Sequence, residues 1–280
     1  MDLSCDQIGQ LVEEVEGRLI AAARDVSPAQ AEKLRLYHGS EVPHLGLSVP
    51  VQRQALRSGY SFSRFPFEQQ LPIWDAVWRR ARYYETKTQA LYYCAARRKP
   101  AELVLLWPVV RDWIETVDCW DTSDELSSVY ARILEVEALA DEVYTVLCTW
   151  NRSANPWKRR QSILSLLYYC RSRRSILPSA KILPLIRTLL GDDHRFVQKA
   201  VGWSLREALT PFPTETTAFI RRHAQALSAV AFAEATRKLS PELRGEIIAR
   251  RRLRAKRQVD QVGRRSLNKP QTGFRIPGPV

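Results

Sequence analysis

Short apolar stripes at helical spacing, separated by proline- and serine-marked breaks, constrain this chain more than any other feature. Leu11, Val12, Val15, Leu19 and Ile20 fall on one face of a 3.6-residue period. Ile73, Trp74, Val77 and Trp78 repeat the pattern, followed by Leu91, Cys94 and Ala95. Pro100 then opens a segment through Leu103, Leu106, Val110, Trp113 and Val117. Ser27-Pro28 and Asn155-Pro156 have the form of an N-cap followed by proline at the first helical position, where the missing N–H has no partner to lose. Leu177-Pro178, Asp192-Asp193, Pro213-Thr214 and Ser240-Pro241 mark later starts. No Asn-Gly step between alternating runs signals a β-hairpin. The expected fold class is all-α.

Helices that are apolar on one side must pair to bury that side. A bundle and a solenoid of stacked helix pairs both satisfy this requirement. Successive hairpins fall roughly 35–45 residues apart, the period of HEAT-type repeats, and that cadence favours the solenoid. Such a superhelix presents a long concave face. Residues 1–249 are expected to form this HEAT-like helical repeat domain. Residues 250–280 differ, with ten Lys/Arg against the single acid Asp260, and with Pro270, Gly273, Pro277, Gly278 and Pro279 near the end. They predict a basic, flexible C-terminal arm that touches phosphates, or a solvated tail without a role.

The 43 Lys+Arg against 30 Asp+Glu give a formal net charge of +13. A surplus of that size suits a polyanionic partner and a basic concave face, since each neutralised phosphate releases counterions. The five cysteines are scattered and form no CxxC pair, and the four histidines show no HExxH spacing. Neither a disulfide framework nor a metal site is expected, and no cofactor. Asp2 and Asp6 precede any apolar run, and no stretch is long enough for a membrane helix. A soluble cytoplasmic, nucleoid-associated protein is expected, with no membrane and no obligatory protein partner, most simply a monomer.

Chemistry concentrates in four places. In Trp120-Asp121-Thr122-Ser123-Asp124, Asp124 could act on water, or it could serve the helix dipole beside a Thr122–Glu125 capping box. Trp120 could face a ligand or act as a hydrophobic staple. Arg160 ends the run Lys158-Arg159-Arg160, which could hold phosphate or be a solvated face. Gly202 interrupts a strong helix former from Phe196 to Glu207, at a cost of about 1 kcal/mol relative to alanine. Close helix packing or close approach of a ligand must offset that cost.

These residues carry a resemblance. Phe196-Val197-Gln198-Lys199-Ala200-Val201-Gly202-Trp203-Ser204-Leu205-Arg206-Glu207 resembles the F-(V/I)-x-K-A-(I/V)-G-W-x-L-R-E run of the DNA alkylation repair family, the AlkD-like DNA glycosylases. Tyr37-His38 with Leu45 to Pro50 and Arg53 is similar to the family's early turn. Trp120 to Asp124 is similar to its W-D-x-x-D element, and Trp157 to Leu164 to its W-x-x-R-x-x-I-L element. Residues 30 to 240 are covered. Cys119 stands where the family often has a second aromatic.

The resemblance implies stacked HEAT-like repeats and a monofunctional glycosylase acting on duplex DNA. Such an enzyme hydrolyses the N-glycosidic bond of cationic N3- and N7-alkylated purines and leaves an abasic site. It implies that Trp120 and Trp203 flank the deoxyribose of the lesion, that Asp124 is the catalytic carboxylate, and that Arg160 holds the neighbouring phosphate, with Lys158, Arg159 and Lys199 as further DNA contacts. An alkylpurine already bears positive charge, so a site without general acid, metal or catalytic histidine would suffice. Two alternatives remain at this point: a non-catalytic duplex or branched-DNA-binding repeat protein, and a protein-interaction scaffold.

Overall fold

The computed structural model describes residues 3–168, 171 and 173–252. Among them the chain is all-helical, as expected. In order come α1 (Cys5–Ala22), α2 (Pro28–His38), α3 (Val49–Arg57), α4 (Phe67–Arg80), α5 (Tyr84–Ala95), α6 (Pro100–Val110), α7 (Trp120–Ile133), α8 (Glu137–Trp150), α9 (Pro156–Leu167), α10 (Ser179–Thr188), α11 (Arg195–Ala208), α12 (Pro213–His223) and α13 (Ala229–Ala235). A further helical stretch spans 241–252. Short 3₁₀ turns cover Ser61–Arg64 and Arg111–Thr116. The second of these replaces the tail of the long segment expected from Pro100 to Val117. Pro108 lies in the last turn of α6 and cannot donate to the ladder there.

Local chemistry explains most starts. Ser4 and Gln7 form a reciprocal capping box on α1. Ser27 accepts from the Gln30 N–H at the start of α2, and Asn155 accepts from the Trp157 N–H at the start of α9. The Asp192-Asp193 start falls two residues later than expected: His194 is the N-cap of α11, and Asp192 Oδ1 accepts from its N–H at 2.9 Å.

The helices form two layers. Helices α5, α7, α9, α11 and α13 pack each against the next, and α4, α6, α8, α10 and α12 back them on the other side. This alternation is a HEAT-like superhelix with an inner row. The inner helices are buried along most of their length: Tyr84 to Cys94 in α5, and Arg160 to Leu167 in α9. Much of what they bury is polar. Gln161 of α9 donates to the Ser123 carbonyl at 2.6 Å, and its Oε1 accepts from Ser127 at 2.8 Å and Ser165 at 2.7 Å. In the same way Gln89 of α5 donates to the Gln52 carbonyl of α3 at 3.1 Å, and Thr88 donates to Gln52 Oε1 at 2.6 Å. These satisfied seams fix how one inner helix slides along the next, because a shifted register would leave buried donors unpaired.

Helices α11 and α13 approach each other closely. A Cβ on Gly202 would come within 2.7 Å of the Ala231 carbonyl oxygen and of Glu234 Cβ. Helix packing is therefore the reason for the glycine. Among the described residues no helix is long and apolar enough to cross a membrane. Cys5, Cys94, Cys119 and Cys148 are free thiols. Cys170 and the proposed arm from 253 onward lie outside the described residues.

Gly202→Ala gains about 1 kcal/mol of helix propensity but must push a backbone carbonyl aside, and overpacking of this kind costs about 1–3 kcal/mol. The expected result is a net loss of stability in urea unfolding with an unchanged slope. A rise in the midpoint would mean that α13 yields freely.

Candidate active site

Four inner helices each bring side chains to one cavity of about 290 Å³. Trp120 and Asp124 come from α7, Arg160 from α9, Phe196, Lys199 and Trp203 from α11, and Val230 and Glu234 from α13. The spacing explains the convergence: Trp120 and Asp124 are one helical turn apart, as are Phe196, Lys199 and Trp203 at steps of three and four. Of the seven residues singled out in the sequence on these three helices, five line this cavity, and Lys158 and Arg159 do not. Lys158 pairs with Glu115 in a separate groove beside Thr145, Thr149 and Trp150. Arg159 pairs with Asp192 at 2.6 Å and donates to the Ser153 and Ala154 carbonyls at 2.9 and 2.8 Å. It ties the start of α9 to the loop before α11. Lys158 and Arg159 therefore lie outside the lining of this cavity.

Asp124 sits in the first turns of α7, whose N-cap is Cys119 with no side-chain cap. The Thr122–Glu125 capping box does not form; the Thr122 hydroxyl bonds the Cys119 carbonyl at 3.2 Å instead. Cys119 itself is fully buried and leaves the cavity wall to Trp120. The Asp124 carboxylate accepts from Arg160, whose side chain is only 3 % exposed. Arg160 also donates to Ser123 Oγ at 3.2 Å and to the Phe196 carbonyl at 2.6 Å. One guanidinium thus joins α7, α9 and α11. Burial pushes the Asp124 carboxyl above the ordinary aspartate range, and Arg160, then Lys199, pull it back.

The two indoles are held differently. Trp120 donates Nε1–H to the Tyr37 carbonyl at 3.2 Å and stands edge-on to the Tyr37 and His38 rings, both at 5.5 Å. Trp203 packs on Tyr168 at 5.6 Å and on Ala131 and Leu164, with the Arg206 guanidinium 5.8 Å from its ring. Glu234 is held by Arg206 and Arg237. Phe196 stood in the quoted motif without a role; Val230 and Glu234 carried no sequence signal.

A family model described as DNA alkylation repair enzyme matches residues 19–239. This chain belongs to that family. Among solved structures, a predicted DNA alkylation repair enzyme from Enterococcus faecalis superposes with a TM-score of 0.61 at 19% identity, covering 77% of this chain and 97% of that one. At that identity the likeness is one of fold. No curated protein matches the sequence. For the DNA alkylation repair family the all-helical two-layer architecture described above is the shared frame, and the cavity lies within the matched segment. Among the described residues no cluster of His, Cys, Asp and Glu is arranged to hold a metal ion.

The ion pair makes a titration prediction for this member of the DNA alkylation repair family. Asp124 holds its proton to higher pH than an ordinary aspartate, and its anion is favoured by Arg160. Arg160→Gln should therefore move the Asp124 midpoint upward. Carboxyl-carbon NMR, with the signal assigned through Asp124→Asn, reads this directly. An unmoved midpoint would show that Arg160 does not hold the anion.

Proposed function

We propose that this protein is a DNA glycosylase that hydrolyses the N-glycosidic bond of cationic N3- or N7-alkylated purines in duplex DNA and leaves an abasic site. The observation that carries the reading is the meeting of Trp120, Asp124, Arg160, Lys199 and Trp203 around one cavity in a DNA alkylation repair family member. In the proposed reaction the departing base is already positive, so no group is needed to protonate it. As the bond lengthens, positive charge moves onto the sugar. Indole faces attract such a cation, each contact worth about 0.5–2 kcal/mol depending on desolvation. The Asp124 anion stabilises the same charge through a partly dry medium and orients or deprotonates the attacking water.

Arg160 is best suited to keeping that anion in place, since its three nitrogens donate to Asp124, Ser123 and Phe196. Lys199 is exposed on the rim and is the better placed of the two to meet a backbone phosphate. Beyond the Trp203 wall, Arg53, Arg57, Arg98, Arg132, Arg173 and Arg174 line two adjoining grooves with Tyr92 and Tyr168, against the acids Glu125 and Glu135. This excess of guanidinium supports a polyanion lying along the inner face. The proposed duplex partner needs no cofactor and no second chain.

Release of 7-methylguanine from methylated duplex tests the reading. Asp124→Asn should lower the single-turnover rate on the order of 100-fold or more while duplex affinity holds, as expected when one oriented charge is removed from a transition state. Equal release by both proteins would sink it. Tight, salt-sensitive duplex binding by the wild type with no abasic product would favour the non-catalytic DNA-binding reading. Lys199→Ala should weaken binding to any duplex sequence alike and reduce the salt slope by about one.

A further inference from the structure

Behind Trp120 lies a cluster that the proposed reaction does not use. His38 ends α2 and His44 lies in the loop that follows. Their rings are joined by a hydrogen bond of 2.9 Å between His38 Nδ1 and His44 Nε2. His44 Nδ1 lies 2.9 Å from the Val42 carbonyl oxygen. A carbonyl only accepts, so His44 Nδ1 carries a hydrogen and, in the neutral ring, Nε2 is a lone pair. His38 must then donate its Nδ1–H. The His44 ring stacks on Tyr84 at 4.1 Å and 9°, and the His38 ring leans on the same phenol at 4.8 Å. The Tyr84 hydroxyl donates to Asp121, the residue after Trp120. His38 closes the circuit by meeting the Trp120 indole edge-on. Three inner or flanking elements, α2, α5 and α7, are thereby tied to one orientation of one indole.

We propose that His38 and His44 are positioning residues for Trp120, fixing its ring through a hydrogen bond that needs a lone pair on one of the two imidazoles. The pair tolerates one proton: His38 can take it on Nε2 and still donate from Nδ1. With two protons both facing nitrogens carry hydrogens, the bond breaks, and the α2 end that carries the Tyr37 carbonyl and the His38 ring loses its anchor. The surroundings delay that event. Burial lowers both imidazoles below the ordinary histidine range; for His38 the nearby Asp121, Glu85 and Asp118 oppose this and His44 adds to it. For His44 the Val42 carbonyl, Asp118 and Asp121 oppose it and Arg35 adds to it. Glu32 pairs with that Arg35 at 2.7 Å, and the Tyr84 phenol stays protonated because burial and Asp121 both disfavour its anion. The Trp120 wall should therefore hold through neutral pH and loosen only on acidification below the ordinary histidine range.

The test uses the full chain and two readouts. The Trp120 indole N–H signal, identified by its loss in Trp120→Phe, is followed by NMR from about pH 8 to about pH 5. The expected result is a constant position near neutrality and a shift on acidification. His44→Phe keeps the ring stack on Tyr84 but removes the acceptor, and should displace the signal at every pH. His44→Gln offers an acceptor that does not titrate, and should restore the wild-type position near neutrality and shrink the acid shift to the part that protonation of His38 alone contributes. A wild-type signal that does not move with pH, or a His44→Gln protein that behaves like His44→Phe, would overturn the proposal. The second readout rests on Trp120 walling the reacting sugar: His44→Phe should lower kcat for 7-methylguanine release on the order of tenfold with KM little changed, and His44→Gln should recover it. Failure of the wild type to release base at all would refute the glycosylase reading and leave the NMR arm to judge the positioning by itself.

Discussion

The guanidinium of Arg160 is the interaction on which the arrangement of the inner helices around the cavity depends. It reaches from α9 to the Asp124 carboxylate and Ser123 hydroxyl on α7 and to the Phe196 carbonyl on α11. A cation taken so far out of water is stable only while its partners stay in place, and removing one partner of such a buried pair costs about 3–5 kcal/mol. The energetic penalty makes the geometry discrete. Asp124 either has this partner and this direction or the local packing fails. The carboxylate is oriented by the same contacts that align three neighbouring inner helices, which is how a small side chain in an all-helical protein comes to be held rigidly at a surface cleft.

The seams of buried serine, threonine and glutamine serve the same end. Gln161 and Gln89 each cross between inner helices, and their amides satisfy carbonyls that a shifted neighbour would expose. Apolar contacts alone would permit small slides at little cost, because they are not directional. Directional bonds do not, so the tryptophans on α7 and α11 keep their separation across the cavity.

Much of the architecture was legible in the chain because helix ends follow local rules. Ser27, Asn155 and Pro213 announced their helices, and the stripes at Val12 to Leu19 and Ile73 to Trp78 went into the core as the spacing implied. The alignment of Trp120, Asp124, Arg160, Lys199 and Trp203 was legible only through their fit to a family pattern, since periodicity along one helix says nothing of which helices meet. The polar seams were not legible: Ser123, Ser127, Gln161 and Ser165 look like surface residues until their partners on another helix are known. The run Lys158 to Arg160 is divided by helix geometry, only Arg160 lining the cavity. Adjacent positions on a helix point about 100° apart, so a run of three basic residues cannot all face one cleft.

The close approach at Gly202 has a consequence of its own. The atoms that forbid a side chain there belong to Ala231 and Glu234, and Glu234 with its neighbour Val230 forms the far wall of the cavity. Any inherited change that thickened position 202 would have to be answered on α13, and the answer would reshape the cavity opening. The size and outline of the cavity are thereby coupled to the thickness of a single helix contact, so that a roomier opening there would come with a looser frame.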